Sequence, residues 1–410
     1  MRHNYKFIDL FAGCGGLSEG FYMQGFEALV HVEIDKFACE TLKKRMEFYG
    51  YSDIENKVLE QDITDENIIE EIKEAIGGNK VDLIIGGPPC QSFSTLGRAR
   101  DEFGMQKDPR NYLFESYVEI LNYFKPRFFV FENVTGLLTA EIKGKKIVDL
   151  ILKELSRNYK LLDDVQNMIL NSVHYGVPQE RNRVIILGVR KDLNISPESI
   201  YSMIEKTHYS PDDELNKENQ ELKKYLTVKD AIIDLPKLRP GEGKEVTEYT
   251  PKKMTEYVRR LRKNADNKLM DHVARNHNSK DIERYKEMAK NGWTFRELLF
   301  NRPDLNHDNP RLFGNSYVVQ QWDKPSKTII AHLYKDGNQF IHPDYSQSRT
   351  LTAREAARLQ SFPDDFEFPV SRTQQYKQIG NAVPPLLAEA IAKAIKKGLD
   401  ILESEDNYDI

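Results

Sequence analysis

The chain has 410 residues, 40% hydrophobic and 30% charged, with a formal net charge of −5. That length holds two domains with sizeable cores, and that balance fits a water-soluble globular chain with no bulk electrostatic pull on nucleic acid. No apolar run approaches the roughly 18 residues of a membrane span, no signal peptide precedes the first apolar run, and Cys14, Cys39 and Cys90 lack the spacing of a disulfide framework or zinc site, so a reducing cytoplasm and no metal are expected.

Phe7–Phe11 (FIDLF) predicts a buried strand. It runs into the loop Asp9–Gly16 (DLFAGCGG), whose glycines let the backbone approach a ligand closely. A dinucleotide fingerprint would need glycine at position 18, where Ser18 stands, so the loop is a poor pyrophosphate cradle. Ala28–Ile34 (ALVHVEI) is the next strand, and Glu33 at its end can take both hydroxyls of a ribose. Adenosine without a pyrophosphate points to S-adenosylmethionine; a tight structural turn is the plainer alternative.

Helical patterns follow at Lys36–Phe48 and Glu66–Ile76, with Gln61-Asp62-Ile63 closing a weakly apolar stretch between them. The strand Val81–Ile85 (VDLII) leads into Gly87-Pro88-Pro89-Cys90-Gln91-Ser92. Ligands of open α/β sheets bind outside the carboxyl ends of strands, and two prolines stiffen the approach to Cys90. Ser92–Arg110 is polar and contains glycine, and reads as a lid offering Arg98, Arg100, Lys107 and Arg110 to phosphates. A helix at Tyr112–Phe124 precedes the strand Arg127–Phe131, which hands over to Glu132 at the same sheet edge; there an acid capping a turn is the alternative. After a helix at Lys145–Ser156, Gln179-Glu180-Arg181-Asn182-Arg183 opens the strand Val184–Val189. In extended chain Gln179, Arg181 and Arg183 share a face, and buried guanidiniums there need anions or carbonyl acceptors. This strand–helix alternation predicts an α/β fold with a mostly parallel sheet and helices on both faces.

Past Arg190 the rhythm stops, and 191–371 is too long for a loop, so a second, smaller domain is expected there. Residues 251–300 carry 13 Lys and Arg against 7 Asp and Glu, and 191–250 carry 9 against 13. The basic stretch is a candidate phosphate footprint or simply a solvated face. His272 and His277, five apart, do not share a helix face as metal ligands would, and read as surface histidines. At the end, Leu387, Ala390, Ile391, Ala394 and Ile395 recur at helical spacing within Leu386–Leu402, a helix expected to pack back on the first domain. The domains are therefore placed at 1–190, completed by 372–410, and 191–371.

With Cys90, Glu132, Arg181 and Arg183 in that order behind the glycine loop, the chain resembles the DNA (cytosine-5)-methyltransferase family nearly end to end. DLFAGCGG resembles its cofactor loop, GGPPCQSFS its nucleophile motif, FENV its acidic motif and QERNR its arginine motif. Arg349–Asp365 (RTLTAREAARLQSFPDD) resembles the segment that scaffolds the target-recognition region, and Gln378–Pro384 (QIGNAVP) the closing motif. The resemblance implies a Rossmann-like S-adenosylmethionine-dependent methyltransferase fold with a target-recognition domain. It makes Cys90 the nucleophile, Glu132 the cytosine-binding acid, and Arg181 and Arg183 the groups that hold and polarise the base. Phe11, Gly13, Glu33, Asp62 and Asn381 fall on cofactor-contacting positions, with Ala12, Gly16, Ile34, Ile63, Pro89 and Val383 completing that candidate set. It implies duplex DNA as the partner, a stand-alone restriction–modification enzyme as the setting, and a monomer by default. An RNA (transfer RNA) cytosine-5-methyltransferase and a non-catalytic DNA-binding protein on the same fold are the alternatives; the long 191–325 insert favours a duplex reader, and the intact Cys90, Glu132 and Arg183 set favours an enzyme.

Overall fold

The computed structural model describes residues 4–89, 113–142, 144–215, 221–251, 253–306 and 316–406. Cys90 and the Ser92–Arg110 segment lie outside these described residues. The chain forms two compact units, one of Met1–Tyr175, Asn182–Lys206 and Pro385–Ile410, the other of Gly176–Arg181 and Thr207–Pro384. Among the described residues no helix is long and apolar enough to cross a membrane.

The first unit is built on an eight-stranded sheet: β1 (Lys6–Leu10), β2 (Glu27–Glu33), β3 (Val58–Glu60), β4 (Leu83–Gly86), β5 (Phe128–Val134), β6 (Tyr159–Lys160), β7 (Ile169–Asn171) and β8 (Asn182–Arg190). The order is β3-β2-β1-β4-β5-β8-β6, with β7 also paired to β8. The first five strands pair in parallel, and β8 runs antiparallel to β5, β6 and β7. Continuous apolar runs such as FFVF and VIIL suit strands covered on both faces, and Phe128–Phe131 and Val184–Leu187 are fully buried. This is the α/β architecture with a mostly parallel sheet that the strand–helix alternation predicts. The short β3, β6 and β7 escape a periodicity reading because two or three residues cannot display a period.

Two features of this topology position the site. From β1 the strand order runs one way through β2 and β3 and the other way through β4 and β5, which opens a crevice at the carboxyl ends of β1 and β4. Because β8 enters antiparallel, its first residues stand beside the last residues of β5: Arg183 pairs in register with Val134, and Ile185 with Glu132. The glycine loop, the Pro88-Pro89 segment, Glu132 and Arg183 therefore share one edge of one sheet.

Helix α1 (Gly16–Met23) packs against the C-terminal helix Pro385–Asp406 so closely that a Cβ on Gly20 would run into the backbone of Ala388 and Glu389. The C-terminal helix thus completes the first unit, as its apolar spacing predicts. Helix α2 (Lys36–Phe48) matches its sequence-derived bounds and is capped by Asp35, whose side chain accepts from Phe37 N.

The boundaries between units differ from those read in the sequence. Residues 191–206 stay with the first unit because Tyr201, on the helix Pro197–Ser202, accepts from Leu187 N at 3.0 Å and donates to Ile185 O, two backbone groups of β8. Residues 372–384 belong to the second unit, where the helix Arg372–Asn381 is tied by Tyr376, whose hydroxyl donates to Leu351 O at 2.7 Å.

The second unit has little regular structure. It contains a hairpin, β9 (Gly243–Glu248) with β10 (Lys268–Val273), and a small core of Tyr285, Met288, Phe295, Leu298, Leu305, Tyr317 and Ile341. Its other centre is polar. Arg349, Arg354 and Arg358, in and before the helix Ala353–Leu359, are fully buried. Arg349 makes two 2.7 Å bonds to Glu355, Arg354 meets Asp271 at 3.1 Å, and Arg358 meets Asp364 and Asp234. Thr352 and Glu355 form a capping box at the helix start. The conspicuously charged run RTLTAREAARLQSFPDD is thus an interior, with every guanidinium paired to a carboxylate.

This interior corrects the reading of His272. It is 1% exposed, with Nδ1 3.0 Å from Thr352 Oγ1 and Nε2 2.9 Å from Pro236 O, and burial lowers its pKa. His277 is half-buried, edge-on to Tyr285, and burial lowers its pKa to about 4. The surface expectation failed because β10 turns His272 inward, which the surrounding charges conceal.

Candidate active site

The loop after β1 is shaped by left-handed backbone at Phe11 (φ +57°), Gly13 (φ +55°) and Gly15 (φ +87°). Left-handed φ at a bulky residue such as Phe11 is costly and is a feature of ligand-binding loops. A Cβ on Gly15 would collide with Leu42, whereas the space beside Gly13 is open. Gly13 N donates to Glu33 Oε2 at 2.7 Å, and Asp35 N donates to Oε1 at 2.8 Å. Each carboxylate oxygen therefore holds one backbone donor and keeps a lone pair for another, such as a hydroxyl of a diol. Burial pushes the Glu33 carboxyl upward, partly opposed by the backbone donors of Asp35 and Gly13. Ile34, next in the chain, is 66% exposed, an apolar side chain held out where a flat ring could lie against it.

The other candidates around this loop divide. Ala12 and Gly16 are buried, and Gly16 is the first residue of α1. Asp62 is exposed, its Oδ1 accepting from Thr64 N and Thr64 Oγ1 at 2.9 and 2.8 Å. Ile63 is turned into the hydrophobic core, which leaves only its backbone for a ligand. Ser18, singled out as the residue that spoils a dinucleotide fingerprint, donates to the buried Asp9 carboxylate under the loop. Asp9 and the buried His31, whose Nδ1 lies 3.6 Å from Asp9 Oδ2, were missed as loop supports because alternation within a strand hides which face a polar residue takes.

The chemistry-bearing side chains gather where β4, β5 and β8 meet. Glu132 Oε1 lies 2.8 Å from Arg183 Nε, with the two side chains 14% and 11% exposed. Burial lowers the Arg183 pKa, and the Glu132 carboxylate opposes that. A Cβ on Gly87 would stand 2.7 Å from Glu132 Oε2, so a larger residue there would push the carboxylate from its place. Asn133 Nδ2 donates to Pro88 O at 3.0 Å, which ties the approach to Cys90 onto the strand bearing Glu132. Pro89, half-buried, is the last described residue before Cys90.

Arg181 has a different environment. It is 1% exposed, and its Nη1 and Nη2 donate to Ile329 O at 2.6 Å and Gly380 O at 3.0 Å in the second unit. Of the two arginines in QERNR, the structure brings Arg183 to Glu132 and gives Arg181 to backbone carbonyls. Asn381 is exposed at the end of the helix Arg372–Asn381, and Val383 is buried just beyond it.

The sequence matches the family described as C-5 cytosine-specific DNA methylase over residues 5–397. It is 37% identical to Type II methyltransferase M.DdeI of Desulfomicrobium norvegicum, covering 95% of this chain and 88% of that one. It is 34% identical to Type II methyltransferase M.Bpa9945I of Bacillus paralicheniformis, covering 95% and 98%. The fold is similar to a prophage-encoded E. coli protein assigned as a DNA modification methyltransferase, with a TM-score of 0.69, 26% identity, and 97% and 99% of the two chains covered. A sheet-edge acid–guanidinium pair beside a glycine loop, in a chain that matches over nearly its whole length, leads to one conclusion: the protein belongs to the C-5 cytosine-specific DNA methylase family.

Proposed function

We propose that this DNA cytosine methyltransferase adds the Cys90 thiolate to carbon 6 of a cytosine flipped out of duplex DNA, with Glu132 and Arg183 holding the ring. The observation that carries this reading is the Glu132–Arg183 pair at 2.8 Å beside the anchored Pro88-Pro89 segment, which Cys90 follows in sequence. Carbon 5 of cytosine is a poor nucleophile within an aromatic ring. Thiolate addition at carbon 6 breaks the aromaticity and makes carbon 5 enamine-like. Bound S-adenosylmethionine would supply the electrophilic methyl group to which carbon 5 bonds as the sulfur–methyl bond breaks. Loss of the carbon 5 proton to a base then expels the thiolate and restores the ring.

Thiolate attack drives negative charge toward N3 and O2 of the ring. On this reading Glu132 relays a proton to N3, and the Arg183 guanidinium donates to O2. Such preorganised donors avoid reorganisation at the moment of attack, and the β5–β8 pairing supplies that rigidity. Extrusion of the base costs a few kcal/mol.

The cofactor reading is supported by the fit of the loop: glycine backbone in left-handed conformations, a carboxylate pinned to accept a ribose diol, and Ile34 as a surface for adenine. Phe11, Ala12, Gly13, Gly16, Glu33, Ile34 and Asp62 are proposed to hold it, with the backbones of Ile63 and Pro89; Asn381 and Val383 are the candidates that the closing motif offers. The second unit is proposed as the target-recognition domain. The type II names of the relatives support a role in restriction–modification.

Bisulfite sequencing of plasmid from cells expressing the chain is expected to show 5-methylcytosine in one sequence context. A duplex with 5-fluorocytosine at that position is expected to form a denaturation-resistant complex when S-adenosylmethionine is present, because fluorine cannot leave as the proton does. No such complex would overturn thiolate addition. Equal capture of 5-fluorocytosine transfer RNA would move the substrate to RNA.

The basic stretch of the second unit also sharpens. Arg262 is spent inside the protein, at 2.8 Å from Asp364 and bonded to the carbonyls of Asp266 and Lys268. Arg259 and Lys263 are exposed. Replacing both with Gln is expected to reduce the slope of log binding constant against log salt by about 0.9 for each phosphate no longer neutralised. Fluorescence anisotropy between about 50 and 200 mM salt reads this, and an unchanged slope places the DNA elsewhere.

A further inference from the structure

The arginine motif, the charged helical segment and the closing motif lie far apart in sequence, yet their side chains converge on one turn of the second unit. Gln179 Oε1 accepts from Ile329 N at 2.8 Å, and its Nε2 donates to Leu359 O at 3.1 Å and Gln360 Oε1 at 2.9 Å. Gln360 Nε2 in turn donates to Ile379 O at 2.5 Å. Arg181 reaches the same turn directly, with one guanidinium nitrogen on Gly380 O and the other on Ile329 O. All three side chains are at most 1% exposed. Gly380 is pressed so closely onto Ile330 and Ala331 that a Cβ would collide with their backbone. Asn381 alone of this turn stands exposed, while Gln378, Ile379 and Gly380 face inward.

We propose that Gln179, Arg181 and Gln360 are positioning residues for the Ile379–Ala382 turn, and through it for Asn381, so that Arg181 serves cofactor binding rather than contacting the base. The inference rests on the assignment of Asn381 to S-adenosylmethionine. A backbone turn carries its own carbonyls, and in a buried place these need donors. An arginine supplies two donors of fixed geometry from one rigid plane, which fixes Gly380 relative to Ile329. Lysine at 181 would keep the charge but serve only one carbonyl at a time in that geometry. The glutamine pair extends the same restraint, because each carboxamide accepts at one end and donates at the other. Together they hold the last turn of the helix Arg372–Asn381 against the segment Ser326–Ala331, whose own backbone pairs with Pro178–Glu180.

The test is the dissociation constant for S-adenosylhomocysteine, measured by calorimetry on the full chain without DNA, for wild type, Arg181→Lys, Gln360→Met and Arg284→Lys. Arg284 is the control: also buried, in the same unit, and bonded to the carbonyls of Leu305 and Asn306. Thermal melts confirm that each variant is folded. Arg181→Lys and Gln360→Met are expected to weaken S-adenosylhomocysteine by about tenfold, the scale of one lost charge-assisted bond, while Arg284→Lys binds as wild type. Equal weakening in all three variants would make Arg181 merely structural and overturn the proposal. So would unchanged binding in Arg181→Lys with slowed capture of 5-fluorocytosine DNA, the result of a direct base contact. Failure of wild type to bind S-adenosylhomocysteine would instead overturn the cofactor reading beneath it.

Discussion

Cys90→Ser is expected to lower methyl transfer by at least about 10⁴-fold, the scale seen when a covalent nucleophile is removed, while S-adenosylhomocysteine still binds with wild-type affinity. Carbon 6 of cytosine is a weak electrophile, so the attacking atom must be both ionisable near neutral pH and intrinsically nucleophilic. A free thiol with a pKa of about 8.5 is a few per cent thiolate at pH 7, and a nearby guanidinium raises that fraction. A serine hydroxyl remains protonated and is a far poorer nucleophile toward a ring carbon. Arg183 is a cation on this sheet edge, and Glu132 holds its guanidinium in place. Cofactor binding should survive because the glycine loop and Glu33 depend on β1 and β2. Single-turnover transfer of labelled methyl groups, paired with calorimetry, separates the two effects. A rate within tenfold of wild type would remove Cys90 from the chemistry. A lost affinity with an intact rate at saturating cofactor would make it a binding residue.

Much of the first unit was legible because its strands are covered on both faces and read as uninterrupted apolar runs. Lys36–Phe48 was legible to the residue, since Asp35 caps it and apolar spacing marks its buried face. Glu132 and Arg183 were singled out by the motifs that carry the resemblance, whereas their meeting depends on the antiparallel entry of β8, which apolar runs do not reveal. What stayed hidden was the direction of polar side chains. Arg181 and Arg183 are two apart and share a face in extended chain, yet the polypeptide passes between units after Arg181, and the two guanidiniums find unlike partners. His272 and Arg262 were hidden in the same way. In a unit with so little regular structure, an interior made of arginine–carboxylate pairs looks in sequence like a solvated surface, because charge reports nothing about burial until its partner is known.

That polar interior makes Glu355→Ala the substitution expected to cost the most stability. Glu355 is 1% exposed and receives both terminal nitrogens of the fully buried Arg349 at 2.7 Å each. Its Oε2 also accepts from Thr352 N at 2.8 Å, closing the capping box of the helix Ala353–Leu359. Removing the carboxylate leaves a guanidinium charge in the interior, hydrogen-bonded among the described residues to the oxygens of Leu238, Thr350 and Gln347. Breaking one side of a buried pair costs about 3–5 kcal/mol, and the lost cap adds about 1 kcal/mol. For a unit of this size that is a fall in Tm of roughly 8–20 °C.

The effect should also depend on pH with a defined sign. Burial pushes the Glu355 carboxyl upward, but the Arg349 guanidinium, with lesser help from His342 and His272, outweighs it and holds the group well below the usual carboxylate range. A depressed folded-state pKa gives stability that is fully present above the unfolded value of about 4.3. It is lost as pH falls through the folded one. The gap between wild type and Glu355→Ala is therefore expected to be constant above about pH 5 and to narrow as the pH is lowered further. Thermal melts at about pH 7.5, 5 and 3.5 read both quantities. A shift under about 2 °C at neutral pH, or a gap that widens in acid, would show that the Arg349–Glu355 pair does not hold this unit together.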